Sequence, residues 1–230
     1  MIKRILAVMI AAGMLTIAGT GVCEAHPSSV SVGDMVTFGG YEQDNDLTNG
    51  KEPIEWRVLK VEEDTVLLIS RKALDAQPYN QRGGRASWVK SSIRKWLNEE
   101  FYNEAFDDTE KESIVTKDLE NRKEANTADP VFLLSTWDAK ELFSSHPDRQ
   151  VSPTAYAVGR GVYQSEKFGP GNVHWWLRTT SWESWRRAAY VATSGGVMTC
   201  GGEVDGNTNN PKMAVRPAIY VKMDAAKKQN

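Results

Sequence analysis

The stretch Val173-His174-Trp175-Trp176-Leu177-Arg178 is apolar and strand-like, and Val215-Arg216-Pro217-Ala218-Ile219 near the end of the chain has the same character. Between them, Thr179 to Asn210 consists largely of Gly, Ser, Thr, Asn, Trp and Arg. Firm ends around an irregular, contact-rich middle are typical of a recognition surface carried on a rigid scaffold. Because the sequence shows no catalytic pattern of comparable strength, we interpret the chain first as a binding protein and second as an enzyme.

The first 25 residues have the three-part pattern of a secretory signal. Lys3 and Arg4 form a basic start, residues 5–18 are apolar but too few to span a membrane, and Cys23-Glu24-Ala25 suits cleavage after its last residue. Val22 stands where a lipoprotein signal would usually carry a smaller residue, which argues against a lipid anchor on Cys23. We expect an exported protein (secreted, periplasmic or at the cell surface) with no stable membrane span after cleavage.

After cleavage, the pattern predicts a short leader over 26–31, a single domain over 32–223 and a frayed, charged tail over 224–230. Such a length is sufficient for one hydrophobic core. The formal net charge of −2 predicts no broad basic face for nucleic acid, and the sequence favours no particular oligomeric state. Without the signal, Cys200 is alone, so we expect no internal disulfide and interpret this residue as a small buried hydrophobe.

The first half of the domain predicts strands followed by helices. Residues 32–40 indicate a first strand, and residues 54–61 and 66–70 indicate a hairpin because the former alternates apolar and polar residues and the latter is apolar throughout. A helix follows, with Ser91 or Ser92 as its cap. The residues expected on its buried face are Ile93, Trp96, Leu97, Phe101 and Ala105.

The next segments continue this alternation. Asp107 or Asp108 suits the cap of a second, shorter helix, and residues 131–134 indicate a buried strand. Ser135 and Asp138 stand at capping-box spacing for a third helix, whose inner side we expect to hold Trp137, Leu142 and Phe143.

From Thr154 onward the signals of helix vanish and short strands remain, the last of them over 214–221 with Pro217 indicating an edge or a bulge. This order of elements predicts an α+β fold, with helices on a mainly antiparallel sheet.

A set of motifs in one order resembles a bacterial and phage domain family that has no assigned biochemical function. The family resembles C-type-lectin-like proteins and is related to variable proteins of diversity-generating retroelements. The motifs that carry the resemblance are Phe38-Gly39-Gly40-Tyr41, Pro53-Ile54-Glu55-Trp56-Arg57-Val58-Leu59, Leu67-Leu68-Ile69-Ser70, Ile93-Arg94-Lys95-Trp96-Leu97-Asn98, Phe101-Tyr102, Ala105-Phe106, Val131-Phe132-Leu133-Leu134-Ser135, Pro153-Thr154-Ala155-Tyr156-Ala157, Trp175-Trp176-Leu177-Arg178 and Val215-Arg216-Pro217-Ala218.

The resemblance implies a twisted antiparallel sheet with helices packed beside it and a long irregular display region that binds a protein or glycan surface ligand without needing calcium. The positions that correspond to the display surface are the loop over 193–210 and Ser181, Trp182, Ser184, Trp185, Arg186, Arg187 and Tyr190. Diversification acts on adenines in Asn codons, and such codons cannot yield Trp. Trp182 and Trp185 therefore need a different template codon or are fixed positions, so an ordinary, non-diversified member and a diversified one both stay open.

The residues themselves favour the same surface. Trp182 and Trp185 lie among Ser, Glu and Arg, the composition of a binding hot spot, so we expect at least one exposed ring, although a ring folded into the core is the alternative. Arg186 and Arg187 suit bidentate binding of a carboxylate or phosphate, or equally a solvated pair. If a strand begins at Ala188, its alternation places Tyr190 on the same face as Arg186.

The neighbouring segments are interpreted as scaffold. Trp175 and Trp176 are adjacent, so in a strand they point to opposite faces, one into the core and the other beneath the display region. Arg178 and Arg216 stand inside strand-like segments, where a guanidinium needs acceptors, so we expect both to bind carbonyls or an acid of the fold.

Metal and cofactor patterns are weak. Asp44, Asp46 and Thr48 have alternating oxygen spacing, but Gly50 stands one place later than a calcium loop requires. Asp205, Asn207 and Asn209 form a second sparse cluster. The sequence thus predicts neither a metal nor a cofactor.

Two alternatives to the binding hypothesis stay open. The first is an envelope-associated enzyme with a fold like that of formylglycine-generating enzymes, which would use Cys200, with His174 as a candidate base. The second is a structural component of an envelope or particle, in which the display surface would serve assembly.

Overall fold

The computed structural model describes residues 30–167, 169–202 and 205–227. The expected signal peptide over 1–25 with Cys23, and most of the leader over 26–31, lie outside the described residues. Within them the protein is α+β, with sheets that are mostly antiparallel, so the predicted class is confirmed. Every helix in these ranges is too short or too polar to cross a membrane.

The described strands belong to two five-stranded sheets and a small hairpin. They are β1 (Met35–Tyr41), β2 (Glu52–Val61), β3 (Thr65–Ser70), β4 (Asp75–Ala76), β5 (Lys117–Leu119), β6 (Thr127–Asp129), β7 (Val131–Phe132), β8 (Trp175–Thr180), β9 (Ala188–Val191), β10 (Val197–Met198), β11 (Ala214–Val215) and β12 (Ala218–Lys222). The described helices are α1 (Ser92–Trp96), a π turn (Leu97–Phe101), α2 (Tyr102–Ala105), α3 (Asp108–Ser113), α4 (Thr136–Glu141), α5 (His146–Arg149), α6 (Ala155–Gly159) and α7 (Met223–Lys227).

The first sheet has the order β1-β2-β3-β12-β7 and is antiparallel at each pairing. The predicted hairpin forms its centre. Strand β2 buries Ile54, Trp56 and Val58 in alternation, whereas β3 is buried at all six positions, which means that both of its faces are covered. The apolar sequence of β3 therefore reflects burial of both of its faces.

The predicted helix after Ser91 is confirmed, with one irregularity that its sequence explains. Ser91 caps the helix by accepting the Arg94 N–H. Buried residues recur every four positions at Ile93, Leu97, Phe101 and Ala105, a longer interval than the 3.6 residues of an α-helical turn. The π turn absorbs this excess because its wider winding keeps the four residues on one face.

Side-chain caps begin α3 and α4, as the sequence predicts, and both form capping boxes. Asp107 starts the former, and Ser135 with Asp138 starts the latter. The expectation that Trp137 packs inside is wrong, because its side chain is 71% exposed. Ala139 is the buried residue of α4, and two positions along a helix correspond to nearly opposite faces. Trp137 thus faces water.

Three expectations for the last third of the chain are corrected. A helix does follow Thr154, since Thr154 caps α6, whose single turn is too short to show periodicity. The predicted strand over 214–221 is two strands, β11 and β12, which belong to different sheets and separate at Arg216-Pro217. The expected frayed tail forms α7 over its first part, because Ala226 is buried against the core.

The second sheet has the order β10-β9-β8-β11-β4 and is antiparallel except between β8 and β11. Trp175 and Trp176 of β8 are both fully buried. The Trp175 indole N–H donates to the Arg149 carbonyl at 3.1 Å, and that of Trp176 donates to the Gln77 carbonyl at 2.9 Å. This strand firmly anchors the connection that leads to β9.

Candidate recognition surface

The connection between β8 and β9, residues 181–187, is called here the indole loop. Its ends are joined by a hydrogen bond from the Ser181 N–H to the Arg187 carbonyl at 2.9 Å. The Ser181 hydroxyl accepts the N–H groups of Glu183 and Ser184, both at 3.2 Å, and donates to the Cys200 carbonyl at 2.7 Å. Ser181, a predicted contact residue, therefore acts inside the loop.

Two neighbouring segments brace the indole loop from outside. The Ala86 N–H donates to the Trp185 carbonyl at 2.6 Å, and the Thr208 N–H donates to the Arg186 carbonyl at 3.0 Å. The Thr208 hydroxyl donates in turn to the Gly84 carbonyl at 3.2 Å. Segments 80–86, 181–187 and 207–210 thus form one continuous surface.

The expectation of an exposed indole is confirmed for both rings. Trp182 is 62% exposed and Trp185 is 55% exposed. The Arg186 guanidinium lies over the Trp185 ring at 4.4 Å from its centroid, a cation–π contact that orients both groups at the surface. The cluster therefore presents an indole face and a cation without enclosing either.

The other predicted contact residues lie deeper. Strand β9 begins at Ala188 as expected, but its four residues are all buried, so Tyr190 does not share a face with the exposed Arg186. The Tyr190 hydroxyl donates to Asp205 at 3.3 Å, and burial raises the pKa of this phenol. Ser184 and Arg187 are half-buried, and the backbone of Arg187 forms an isolated antiparallel β-bridge with Asn207. These residues hold the surface in place.

The predicted display loop over 193–210 is less exposed than the resemblance implies. Thr193 and Thr208 are buried, whereas Ser194 and Asn209 are exposed. Val197 and Met198 form β10 and pair with β9. Residues 203 and 204 of this segment lie outside the described residues.

A groove with a volume of about 710 Å³ runs beside the indole loop, and two exposed tryptophans, Trp137 and Trp182, line it. We call it the indole groove. Its other lining residues are Trp88, Glu120, Asn121, Arg122, Glu124, Asn126, Ser135, Thr136, Lys140, Arg178, Thr179, Thr180 and Thr199. The lining combines aromatic rings with hydroxyl, amide and charged groups, as ligand sites commonly do.

The base of the indole groove is fixed by Arg178. Its guanidinium pairs with Asp138 at 2.7 Å and donates to the Leu133 carbonyl at 3.1 Å, which confirms the predicted structural role. Asp138 also caps α4, the helix that carries Trp137. The same carboxylate therefore joins β8 to the helix on the other side of the groove.

A second cleft, also of about 710 Å³, is basic. Its cationic residues are Arg82, Arg85, Lys90, Arg94 and Lys95. Arg94 pairs with Asp129 at 2.6 Å and Lys95 with Glu99 at 3.6 Å, whereas in the described part of the chain the other three have no carboxylate within 4.0 Å. Arg82 and Arg85 belong to segment 80–86, so this positive charge adjoins the indole loop.

Cys200 and His174 do not hydrogen-bond to each other within the described structure. The Cys200 thiol lies 3.8 Å from the Thr199 hydroxyl. His174 accepts the Thr193 N–H on Nδ1 at 3.1 Å, and its Nε2 lies 3.9 Å from Asp205. Burial lowers the pKa of His174, although Asp205 opposes the effect. Both imidazole nitrogens thus face groups other than the thiol.

Comparison with known proteins gives one family. No curated protein and no solved structure matches the chain. The profile of a domain of unknown function, DUF6273, matches residues 63–223, which is more than half of the chain and includes both clefts and the indole loop. The chain therefore belongs to the DUF6273 family.

Proposed function

We propose that this chain is an exported, non-catalytic ligand-binding protein with a C-type-lectin-like fold. Its contact surface comprises the indole loop and the indole groove, and its ligand is a protein or glycan on a cell or particle surface. The observation that carries the proposal is that Trp137, Trp182 and Trp185 all face water around one surface. Large exposed rings in one region mark interaction sites more often than scattered ones do.

The bracing of the loop favours tight binding. The hydrogen bonds that hold residues 181–187 order this surface before any ligand arrives. Ordering a loop on binding consumes part of the interaction energy, so a loop ordered in advance binds more strongly. Tryptophan and arginine are also the residues that dominate measured hot spots.

The surroundings favour a glycan over a flat protein epitope. Indole faces stack on the apolar faces of sugar rings, and the threonine hydroxyls and amides of the indole groove supply donors and acceptors for sugar hydroxyls. The free cations of the basic cleft and Arg186 suit carboxylate or phosphate groups on the same ligand. We therefore favour an acidic glycan.

The relation to variable proteins of retroelements is a separate part of the proposal. The irregular region between β8 and β11 supports it, because main-chain contacts there leave side chains free to differ. The coding DNA tests it. A neighbouring reverse transcriptase and a near-copy of the last coding segment that differs at adenines are the expected findings.

Binding of the labelled protein to intact bacterial cells, read by flow cytometry, tests the ligand class. Periodate oxidation of the cells destroys sugar diols and should abolish binding, whereas proteinase K should not. The reverse result would assign the ligand as a protein. The variant Trp182→Ala with Trp185→Ala should lose binding while it keeps a cooperative melting transition, and retained binding by this variant would refute the proposed surface.

A further inference from the structure

The turn between β1 and β2 brings three carboxylates together away from the recognition surface. Glu42 directly follows β1, Asp44 lies in the turn, and Glu52 begins β2. One carboxylate oxygen from each lies within 4.8 Å of the other two. Among the described residues, none of the three carboxylates forms an ion pair with a lysine, arginine or histidine.

Glu42 adds an observation that like charges alone do not explain. The residue is only 6% exposed, and its Oε1 is buried without a hydrogen-bond partner in the described structure. Burial raises the pKa of the Glu42 carboxyl, the Asn45 N–H opposes this, and the Glu52 and Asp44 carboxylates raise it further. Buried polar atoms normally have a partner, so the Glu42 oxygen beside two further carboxylates indicates a position that suits a positively charged ligand.

The other two carboxylates accept hydrogen bonds from within the turn. Glu52 accepts the Gln43 N–H at 2.6 Å, and Asp44 accepts the Asp46 N–H at 2.7 Å and the Asn49 side-chain amide at 2.7 Å. The amide of Asn49 and the N–H of Asp46 lower the pKa of Asp44. The turn therefore holds both carboxylates in place beside Glu42.

We propose that Glu42, Asp44 and Glu52 bind a calcium ion. Calcium binds six to eight oxygens at about 2.3–2.6 Å, so two of its ligand atoms lie at most about 5 Å apart, as the three carboxylate oxygens do. The cluster offers oxygen alone, which disfavours zinc and other metals that prefer nitrogen or sulfur. Asp44 is exposed and Glu52 half-buried, so water has access to the remaining positions.

The bound ion would secure the β1–β2 turn to the rest of the domain. The Gln43 carbonyl, between two of the ligands, accepts the Tyr156 N–H of α6 at 3.0 Å. The three ligands precede residues 63–223, the part that matches the family profile. None of them belongs to the indole loop or lines the indole groove, so the site does not depend on the proposed ligand-binding function.

Calcium titration of the full mature protein at neutral pH tests the site by calorimetry and thermal melting. We expect one calcium per chain with a Kd of about 10⁻⁴ to 10⁻³ M, the range of extracellular modules. At a Kd near 1 mM, about 10 mM calcium should raise the melting temperature by about 3 to 5 °C. No binding heat and no shift of the melting temperature with calcium would refute the proposal.

Matched variants separate the loss of calcium ligands from damage to the β1–β2 turn. Asp44→Asn with Glu52→Gln keeps the acceptors for the turn but removes two charges, so it should lose the calcium response. Asp46→Asn is the control, because Asp46 accepts from Thr48 within the same turn and is outside the cluster. An equal calcium response in the double variant, or its loss in the Asp46 control alone, would overturn the assignment. Cell binding by these variants reports separately on the proposed function.

Discussion

Replacing Trp182 by alanine should weaken ligand binding about thirtyfold at little cost in stability, whereas the same replacement at Trp176 should destabilise the fold. The two residues belong to one segment of chain but differ in burial, since Trp182 is 62% exposed and Trp176 is fully buried. The pair therefore separates a contact role from a core role with the same chemical change.

The expected magnitudes follow from the hidden area. About two fifths of Trp182 is hidden, roughly 80 Å² of a side chain that buries about 200 Å² when enclosed. At about 25 cal/mol per Å² this area stabilises by about 2 kcal/mol, an upper bound because alanine and the unfolded chain already bury part of it. We expect a loss of about 1 kcal/mol in the free energy of unfolding.

The corresponding loss at Trp176 is larger. Removing a fully buried tryptophan costs about 3 to 5 kcal/mol. Its indole N–H also donates to the Gln77 carbonyl at 2.9 Å, and leaving that half-buried acceptor unpaired adds about 1 kcal/mol. Trp176→Ala should therefore cost several times more than Trp182→Ala.

Urea denaturation followed by far-UV circular dichroism measures the free energy of unfolding, and cell binding measures the affinity for the ligand. Loss of a hot-spot tryptophan typically costs about 2 kcal/mol of binding, or roughly thirtyfold in affinity. If Trp182→Ala destabilises as much as Trp176→Ala, the ring belongs to the core. If its affinity stays within about twofold, well under 1 kcal/mol, the indole loop is not the contact surface.

Three further predictions concern the indole groove, the ion pairs of Glu62 and the ion pair between Arg178 and Asp138. Trp137→Ala should weaken cell binding more than tenfold while it lowers the free energy of unfolding by less than about 1 kcal/mol, and unchanged binding would exclude the indole groove. Two lysines lower the pKa of Glu62 to about 2, so Glu62→Gln should cost about 1 kcal/mol after solvent screening. A carboxyl group whose pKa is lowered by folding contributes its full stabilisation only above its pKa in the unfolded chain. The difference in the free energy of unfolding between the two proteins should therefore be complete above pH 4.5 and vanish as the pH falls to about 2. Acid titrations of both proteins measure it. Asp138→Asn leaves buried Arg178 without its carboxylate and should cost about 3 kcal/mol in urea denaturation, whereas a loss below about 1 kcal/mol would show that water hydrates this guanidinium.

Features set by neighbouring residues could be predicted from the sequence. The hairpin of β2 and β3, the Ser91 cap and the capping box of Ser135 and Asp138 depend on contacts within a few residues. The exposure of Trp182 and Trp185 belongs to the same class, because serine and charged neighbours in a short connection leave little to bury an indole. Local composition is sufficient in each of these cases.

Features that join distant segments could not be predicted. Trp137 belongs to α4, and its place beside Trp182 follows from the packing of that helix against β8 through Asp138 and Arg178. Strand alternation places Tyr190 on the face predicted to be exposed, but both faces of β9 are covered, so Tyr190 is buried. Glu42 joins Asp44 and Glu52 only because the two strands pair, so linear calcium-loop spacing does not reveal the cluster.

The contacts that brace the indole loop explain how a rigid surface can tolerate different side chains. The Trp185 and Arg186 carbonyls accept the external bonds, and the Ser181 N–H and Arg187 carbonyl close the loop. These are main-chain atoms, which every residue except proline supplies in full. Replacing the side chains of Trp182, Trp185 or Arg186 therefore leaves these bonds in place, so the proposed ligand contacts can change without loss of the scaffold.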